Sequence, residues 1–439
     1  MTTDKNENLM EKIVSLCKRR GFIFQGSEIY GGLAGTWDYG PYGAQLSHNI
    51  KDMWWKHFVT NQENIFGIST PTLVPEAVWQ ASGHLSGFTD PLVECTKCHH
   101  RFRTDQLENP KVCPDCGGTL GESKAFNLMF PVGIGSSGDS TAYLRGEIAP
   151  GMFLNFKNIM DSIHPELPFG LAQIGKAYRN EIAPRDFLFR VREFDLMEFE
   201  YFVREKDWQE SFEKWRLEMW NWIEKVGINK DLVSELEVSE NDRAFYSKRT
   251  IDFEFEWPFG KKELYGLAYR TDHDLKSHSS GSNIDLTYYD DETKDRFFPH
   301  VVEPSMGHGR TMLAVLVSAY KEDNVGDDTR VYLAFKPQIA PVKIAVFPLL
   351  KNKPELVEKA REVYKTLKKE FGAVMFDDNG NIGKRYRRQD EIGTPWCVTV
   401  DFETIEKDLG VTVRDRDTAE QKRMTVEELI SHVRKELNS

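Results

Sequence analysis

The sequence predicts an α+β protein in which a large sheet-containing region is followed by a smaller region of alternating strands and helices. Polar and apolar residues alternate on both sides of a turn at residues 183–186, which indicates a β-hairpin. The strand–helix alternation begins after the two prolines of residues 335–341. Four of the six cysteines form two close pairs, which indicates a small inserted module. A chain of 439 residues has room for two or three such units.

The N-terminal region is predicted to begin with two amphipathic helices, at residues 8–20 and 44–59, because apolar residues recur there at helical spacing. A later helix rich in tryptophan is expected to pack on the sheet. The pattern places this helix at residues 207–226 and strands around 250–256 and 264–269.

The C-terminal region is predicted to be a small α/β domain, because strands alternate with helices over about 100 residues. Its strands are expected at residues 342–347, 374–376, 396–400 and 411–415, and its helices at 354–370 and 425–437.

The paired cysteines predict a structural metal site. Two Cys-x2-Cys pairs, separated by 14 residues, match the ligand pattern of a zinc ribbon, in which four thiolates hold Zn²⁺ tetrahedrally. The ligands would be Cys95, Cys98, Cys113 and Cys116, in an insertion that spans residues 90–122. His99 and His100 are alternative ligands, and a ribbon that has lost its metal is the other interpretation.

Charge is distributed unevenly along the chain. Residues 336–439 carry 20 Lys and Arg against 18 Asp and Glu, whereas residues 1–335 carry 37 against 51. The C-terminal region also contains a basic run around an aromatic residue, a combination that suits phosphate contact and base stacking. This run predicts an RNA contact through Lys384, Arg385, Arg387 and Arg388, and a solvated loop is the alternative.

The hairpin carries side chains suited to ATP. If the run is extended, Arg179 and Glu181 lie on one face of a strand, so that a planar cation and an acceptor point the same way. The returning strand would present cations, a ring and then carboxylates on one face. These residues are Arg190, Arg192, Phe194, Glu198 and Glu200. A solvated hairpin with alternating charge is the alternative.

A second segment provides an anion site downstream. Gly307 and Gly309 permit close backbone approach to a ligand, and Arg310 lies in the first turn of an apolar helix, whose N-terminus favours an anion. Glu303 and Ser305 come just before the glycines.

These two segments resemble motifs 2 and 3 of the class II aminoacyl-tRNA synthetases. The helix, strand and proline of residues 44–71 resemble motif 1, the dimer-forming element. The resemblance implies a class II antiparallel-sheet catalytic domain over residues 1–335, with motif 2 at about 173–202 and motif 3 at about 300–320. It also implies an anticodon-binding domain over residues 341–439, as in class IIa.

Further motifs resemble the dimeric type of glycyl-tRNA synthetase. They include Trp-Asp-Tyr-Gly-Pro-Tyr-Gly at residues 37–43, Arg-Thr-Asp at 270–272 and Glu-Pro-Ser at 303–305. Two departures stand out. The usual Leu-Arg-Pro-Glu-Thr-Ala-Gln-Gly reads Leu-Arg-Gly-Glu-Ile-Ala-Pro-Gly at residues 144–151, and His308 replaces a commonly apolar residue in motif 3.

The resemblance implies a reaction that joins glycine to tRNA through an adenylate, with Arg179 and Arg310 as catalytic residues. Arg179 would contact the α-phosphate of ATP, and Arg190 and Arg310 the γ-phosphate. Phe194 would stack on the adenine, whose amine Glu181 would accept. The other implied ATP contacts are Asn180, Phe189, Val191, Arg192, Glu193, Glu263, Leu264, Gly307, His308 and Gly309. The implied glycine contacts are Arg103, Glu147, Phe194, Glu198, Glu303, Ser305 and Gly307.

The resemblance further implies Mg²⁺ at Glu263 and Glu303, tRNA as a partner and a homodimer. The chain has no apolar run of 18 residues and no apolar core of a signal peptide near Met1, so we expect a cytoplasmic protein without membrane contact.

Two other classes of function compete with this interpretation. An inactive synthetase-like subunit could bind RNA or DNA, but such a protein would be expected to lose Arg179, Arg190 and Arg310, which are present. A paralogue that loads a carrier other than tRNA could dispense with the C-terminal region, which is also present. Proline, threonine and histidine enzymes share the architecture but lack the motif combination at residues 37–43 and 303–305.

Overall fold

The computed structural model describes residues 3–136, 138, 140–244, 246–325, 328–407 and 409–438. The predicted α+β fold is confirmed, with a large mixed sheet in the N-terminal region and a separate sheet in the C-terminal region. The extreme ends of the two predicted domains, residues 1–2 and 439, lie outside the described residues.

The α-helices of the described residues include every predicted helix, although the first begins at Thr3 rather than at residue 8 and several others were not predicted. They are α1 Thr3–Arg20, α2 Pro41–Trp55, α3 Glu76–Ala81, α4 His84–Gly87, α5 Ala149–Leu154, α6 Phe156–Ile163, α7 Trp208–Lys225, α8 His273–Ser282, α9 His308–Ala319, α10 Pro354–Phe371, α11 Ile382–Ile392, α12 Phe402–Glu406 and α13 Val426–Asn438.

The strands of the N-terminal region are β1 Ile23–Gln25, β2 Trp37–Tyr39, β3 Ile65–Gly67, β4 Leu73–Pro75, β5 Thr89–Glu94, β6 Arg101–Arg103, β7 Lys124–Asn127, β8 Phe130–Ile134, β9 Ser140–Leu144, β10 Phe169–Tyr178, β11 Glu193–Val203, β12 Val233–Glu237, β13 Arg249–Trp257, β14 Gly260–Thr271, β15 Tyr288–Tyr289, β16 Arg296–Phe297, β17 His300–Gly307, β18 Tyr320–Val325 and β19 Asp328–Leu333. The C-terminal strands are β20 Ile344–Pro348, β21 Val374–Phe376, β22 Trp396–Val400, β23 Val411–Asp415 and β24 Gln421–Met424.

The large sheet has the order β12-β13-β14-β17-β11-β10-β3, and its pairs are antiparallel except for β3 with β10. Alternate residues of β11 face opposite sides of the sheet. Phe199 packs in the hydrophobic cluster that α2, α7 and α9 cover, whereas Phe202 packs with residues of α5 and α6 on the other side. Burial on both faces fixes the register, because a slip of one residue would reverse every side chain.

This register brings the two predicted motifs together. β11 is paired with β17 so that Glu198 lies opposite Ser305, and β14 is paired with β17 so that Ala268 lies opposite Glu303. Residues that are distant in sequence therefore share the centre of one sheet.

The cysteine insertion is built on a three-stranded sheet of order β6-β5-β7. β5 is the central strand and leads directly to Cys95. The C-terminal sheet has the order β21-β20-β22-β23-β24, in which β20 is parallel to both of its neighbours. The predicted strands and helices of this region are present, and the sequence analysis missed α11, α12 and β24.

Candidate active site

A cleft of about 480 Å³ opens over the polar centre of the large sheet. It joins the two motifs and brings together most of the side chains that the sequence assigned to ATP or glycine. Those that line it are Glu147, Arg179, Glu181, Phe189, Arg190, Val191, Phe194, Glu198, Glu263, Leu264, Glu303, Ser305, Gly307, Gly309 and Arg310.

Arg179 projects between two aromatic rings. Its guanidinium carbon lies 5.1 Å from the ring centre of Phe88 and 5.3 Å from that of Phe194. Its Nε donates to the carbonyl of Gly146 at 3.1 Å. These contacts orient the planar guanidinium, and its terminal nitrogens are donors that can serve a phosphate.

Two other cations of the cleft are paired with carboxylates. Arg190 donates through Nε to Glu181 at 2.7 Å. A terminal nitrogen of Arg310 lies 3.1 Å from the Glu263 carboxylate, and the Arg310 guanidinium lies 4.5 Å from the ring centre of Phe189. The Arg310 charge lowers the pKa of Glu263, which keeps that carboxylate ionised.

The prediction that Arg179 and Glu181 lie on one face of a strand is wrong. β10 ends at Tyr178, and the amide of Glu181 donates back to the Arg179 carbonyl at 2.7 Å. β11 begins only at Glu193, so Arg190 and Arg192 belong to the connecting loop rather than to the strand. The chain turns there through left-handed backbone conformations that the alternating sequence pattern does not reveal.

Four residues assigned to ATP do not line the cleft. Arg192 donates to the carbonyls of Ala34 at 2.6 Å and Glu181 at 3.0 Å, so it supports the loop. Glu193 is exposed and lies 3.1 Å from Lys176, while the amide of Asn180 donates to Leu128. The fourth is His308.

His308 is buried at the start of α9. Its Nε2 is 2.7 Å from the hydroxyl of Ser47, and its ring stacks on Tyr39. Burial lowers the pKa of His308 to about 3, and the charge of Lys51 acts in the same direction. The imidazole therefore stays neutral at pH 7 and acts as a packed core residue.

A cluster of buried carboxylates, two of which line the cleft, lies among the strands of the large sheet. Oxygens of Glu198, Glu200 and Glu303 all lie within 4.8 Å of one another. Ser305 donates a short hydrogen bond to Glu198, and Arg270 donates to Glu303 at 2.8 Å. Both carboxylate oxygens of Glu200 are buried without a hydrogen-bond partner among the described residues.

The cluster holds more acidic groups than one cation can balance. Arg270 also forms a two-point ion pair with Asp274, at 2.8 Å on each oxygen. Burial and the charge of Glu303 raise the pKa of Glu198 to about 8, and burial raises the pKa of Glu303 as well. Such a site favours a bound cation, because a positive ligand would relieve the repulsion between the carboxylates.

Glu147 lies beside this cluster and has its own cation. Its carboxylate is 3.1 Å from Nε2 of His84, which is 4% exposed. Burial alone would raise the pKa of Glu147, but His84 holds it at about 2. The pair therefore carries a fixed carboxylate into the cleft.

Arg103, assigned to glycine, is not a lining residue of the cleft. Its guanidinium donates to Asp90 at 2.5 Å and to Asp105 at 2.7 Å and 3.1 Å. Arg103 is therefore paired with carboxylates of its own module, and its assignment to glycine stays a prediction. An arginine motif alone could not reveal these partners.

The four cysteines come together as the zinc-ribbon spacing requires. Their sulfur atoms lie within 4.8 Å of one another, and the distances Cys95–Cys116 and Cys98–Cys113 are both 3.6 Å. Tetrahedral Zn–S bonds of about 2.3 Å would separate the sulfurs by about 3.8 Å, so the cluster could hold a metal ion. Of the two carboxylates assigned to Mg²⁺, Glu303 lies with Glu198 and Glu200, whereas Glu263 pairs with Arg310.

The sequence analysis missed several lining residues, of which Asp252 and Tyr246 are the most chemically informative. Burial and the nearby charge of Glu263 raise the pKa of Asp252 to about 7. Polar residues alternate with apolar ones along β13, so the sequence showed that this strand has a polar face. It did not show that the face floors the cleft.

The C-terminal basic run forms part of α11, which begins after the cap residue Asn381. Lys384 and Arg387 are exposed, and Arg388 donates to Asp377 at 2.6 Å. Arg385 is only 1% exposed and donates to three backbone carbonyls. We therefore correct its assignment to RNA, because the side chain is buried and both of its terminal nitrogens donate within the fold.

Among the described residues, no helix combines the length and apolar character that a membrane crossing requires.

Comparisons with known proteins agree with this architecture. Residues 134–319 match the family model described as the tRNA synthetase class II core domain (G, H, P, S and T), and residues 343–436 match the model described as an anticodon binding domain. A prolyl-tRNA synthetase from Giardia lamblia, solved with prolyl-adenylate, has a similar fold with a TM-score of 0.70 at 16% identity, over 99% of this chain and 79% of that one.

Sequence relatives are much more similar. A glycine–tRNA ligase from Clostridium acetobutylicum is 45% identical, and the match covers 99% of this chain and 100% of that protein. A glycine–tRNA ligase from Treponema denticola is 46% identical over 98% of this chain and 97% of its own length.

Proposed function

The chain belongs to the glycine–tRNA ligase family, and on that premise we propose that the cleft activates glycine with ATP and that the protein transfers the glycyl group to tRNA. One observation carries the assignment to this cleft: arginines suited to phosphates and carboxylates suited to an ammonium group line the same cavity. The two substrates of adenylate formation need both kinds of side chain next to each other.

In the first step, a carboxylate oxygen of glycine attacks the α-phosphorus of ATP, and the bond to the leaving pyrophosphate breaks. In the second step, a hydroxyl of the terminal tRNA ribose attacks the glycyl carbonyl and AMP leaves. Neither step needs a covalent enzyme intermediate, so positioning and charge stabilisation supply the rate enhancement.

Arg179 would hold the α-phosphate, where charge develops in the transition state. Arg190 and Arg310 would hold the γ-phosphate after exchanging Glu181 and Glu263 for phosphate oxygens. Phe194 would stack on the adenine, and the released Glu181 would accept its amine. The pairing of each arginine with a carboxylate in the cleft supports this exchange.

Glycine would bind through its ammonium group to Glu198 and Glu303, with Glu147 and Ser305 close by. The unbalanced acidic cluster supports this role, since a primary ammonium provides three donors and a positive charge. Every competing amino acid is larger than glycine, so steric exclusion behind the α-carbon suffices for selectivity.

Magnesium and zinc have different proposed roles. Glu263 and Glu303 offer the hard oxygen ligands that Mg²⁺ takes alongside ATP phosphates, and the ion would supply neutralisation of phosphate charge. The four cysteines would hold a structural Zn²⁺, because all four tetrahedral positions are filled by thiolates and none is left for substrate.

Residues 341–439 would bind tRNA as an anticodon-binding domain, and residues 1–335 would form the catalytic domain. The exposed Lys384 and Arg387 are the proposed phosphate contacts on α11. We propose that this charging of tRNA takes place in the cytoplasm.

A homodimer is also proposed from the motif 1 resemblance. Apolar side chains of the 3-10 helix Glu28–Tyr30 support it, because Ile29 is 90% exposed and Tyr30 is 88% exposed. Exposed neighbouring apolar residues of this kind are commonly covered by a partner. Light scattering should give twice the 50.7 kDa chain mass, and Tyr30→Ser should shift the equilibrium toward the monomer. A monomeric wild-type protein at micromolar concentration would contradict the proposal.

The function is tested by ATP–pyrophosphate exchange with each of the twenty amino acids, without tRNA. Exchange with glycine alone is expected. Exchange with a different amino acid would overturn the assignment of glycine, and exchange with none would overturn the proposed adenylation. Charging of glycine-accepting tRNA by the same preparation tests the second step.

A further inference from the structure

One short segment, residues 84–90, contacts three different residues that the proposed function assigns to substrates. His84 contacts Glu147, Phe88 contacts Arg179, and Asp90 lies beside Arg190. We propose that this segment, here named the positioning segment, sets the geometry of the ammonium site and of both phosphate sites. Its side chains would act as positioning residues through the groups that touch substrate. The inference rests on the proposed function for the identity of the ligands.

In the first contact, between His84 and Glu147, other residues fix the position of the His84 ring. Nε2 of His84 lies 3.1 Å from Glu147, and Nδ1 of the same ring lies 2.8 Å from the hydroxyl of Ser82. The ring also packs edge-on against Trp79. Because both ring nitrogens have partners and the ring is buried, the imidazole fixes where the Glu147 carboxylate can lie.

The second contact fills a space created by a glycine. A Cβ at Gly146 would lie 2.9 Å from the Phe88 ring, so the absence of a side chain there lets Phe88 pack close. Phe88 then lies on Arg179, while the Gly146 carbonyl accepts from Arg179 Nε. The Phe88 ring and one hydrogen bond therefore fix the Arg179 guanidinium. This orientation sets where its terminal nitrogens can meet a phosphate.

The third contact is a chain of alternating charges. The same oxygen of Asp90 lies 2.5 Å from Arg103 and 3.7 Å from Arg190, and Arg190 in turn donates to Glu181. Asp90 is 7% exposed, so water screens these interactions poorly. Asp90 therefore opposes any movement of the Arg190 guanidinium away from its present position in the cleft.

The positioning segment is continuous with the cysteine insertion. Asp90 lies in β5, whose two edges pair with β6 and β7, and β5 ends next to Cys95. Arg103, the other partner of Asp90, belongs to β6. The stem of the insertion therefore fixes Asp90 from two strands, which gives the insertion a role in substrate geometry without any contact with substrate.

Three variants separate the three contacts. His84→Asn keeps a polar atom near Ser82 but cannot reach Glu147, Phe88→Leu removes the ring on Arg179, and Asp90→Asn keeps the size but removes the charge. Binding of ATP and of glycine is measured separately by calorimetry, with pyrophosphate exchange in parallel. A lost charge-assisted contact should weaken the relevant step by about tenfold.

Each variant should have its own signature. His84→Asn should weaken glycine binding about tenfold and Asp90→Asn should weaken ATP binding about tenfold, each leaving the other ligand within about twofold. Phe88→Leu should slow exchange about tenfold with both affinities nearly unchanged, since Arg179 acts on the α-phosphate. Asp90→Glu restores the charge and should recover much of the ATP affinity.

The matched control is Arg101→Gln on the same strand as Arg103, because Arg101 pairs only with the exposed Glu94 in the ion pairs of the described residues. It should leave both affinities unchanged. The positioning role would be overturned if all three variants lost affinity for ATP and for glycine equally, or if none of them lost affinity or activity. A wild-type protein that binds both ligands but shows no exchange would overturn the proposed function alone, and one that binds neither would overturn both.

Discussion

The buried His308 should make the protein sensitive to acid in a defined pH range. This residue replaces a commonly apolar one in motif 3, and the change His308→Met restores an apolar side chain of similar reach. In the folded protein the pKa of His308 is lowered to about 3 by burial, from an ordinary value of 6.5. In the unfolded chain the imidazole is hydrated and takes up a proton near its ordinary pKa.

The direction of the effect follows from proton uptake. Between pH 6.5 and pH 3 the unfolded chain binds a proton at this position and the folded protein does not, so the free energy of unfolding falls as pH falls. Each pH unit below 6.5 costs about 1.4 kcal/mol, which gives a loss of about 2 kcal/mol at pH 5. The hydrogen bond to Ser47 is also lost in the variant, but that cost is largely independent of pH.

Urea unfolding followed by tryptophan fluorescence at pH 7 and pH 5 measures this difference. The free energy of unfolding of wild type, minus that of His308→Met, should fall by about 2 kcal/mol from pH 7 to pH 5. His99→Gln is the control, because the His99 side chain is 75% exposed and its loss removes no buried imidazole. Identical pH dependence in wild type and His308→Met would refute the reasoning, since it would mean that His308 accepts a proton equally well in both states.

Three further predictions concern the proposed phosphate, metal and RNA contacts. Arg179→Gln should reduce the rate of glycine-dependent exchange by about 10²–10³, the usual cost of one lost transition-state donor, and an unchanged rate would exclude a role at the α-phosphate. Cys113→Ser should lower bound zinc, measured by atomic emission, well below the one ion per chain expected of wild type. Arg387→Gln should raise the KM for tRNA without altering the rate of exchange. Arg385→Met should instead lower the melting temperature, because the buried Arg385 side chain donates to backbone carbonyls. Equal increases of the KM for tRNA in the two variants would contradict this distinction.

The fold was predictable because the spacing of apolar residues and the positions of the residues that end helices and strands agree along most of the chain. α10 and β22 lie where spacing and β-branched residues placed them, and α2 begins three residues before the predicted start because Pro41 suits a first helical turn. α11 was missed since its charged sequence lacks a clear apolar stripe; its cap, Asn381, accepts from the amide of Lys384 at 2.9 Å and was the available signal.

The composition of the site was more predictable than its pairings. The motifs identified Arg179, Glu198 and Glu303, all of which line the cleft. The positions where strands end and the paths of the loops decide whether an arginine is available to a ligand or is already paired within the protein. Arg192 and Arg103 illustrate this, because each is an arginine in a functional-looking motif that the folded chain uses to hold its own groups. Tertiary partners of this kind leave no periodic trace in a sequence.

The ion pairs of the cleft bear on how a nucleotide would be selected. The pair of Arg190 with Glu181 is more buried than that of Arg310 with Glu263, since the two carboxylate side chains are 7% and 48% exposed. Releasing Glu181 therefore costs more, and in the proposed function adenine would offset that cost by donating its amine to the freed carboxylate. Guanine carries a carbonyl oxygen at the corresponding position, so Glu181 would face an acceptor and retain Arg190. In the proposed function, one buried carboxylate thus reads the base and also controls whether a phosphate arginine is released.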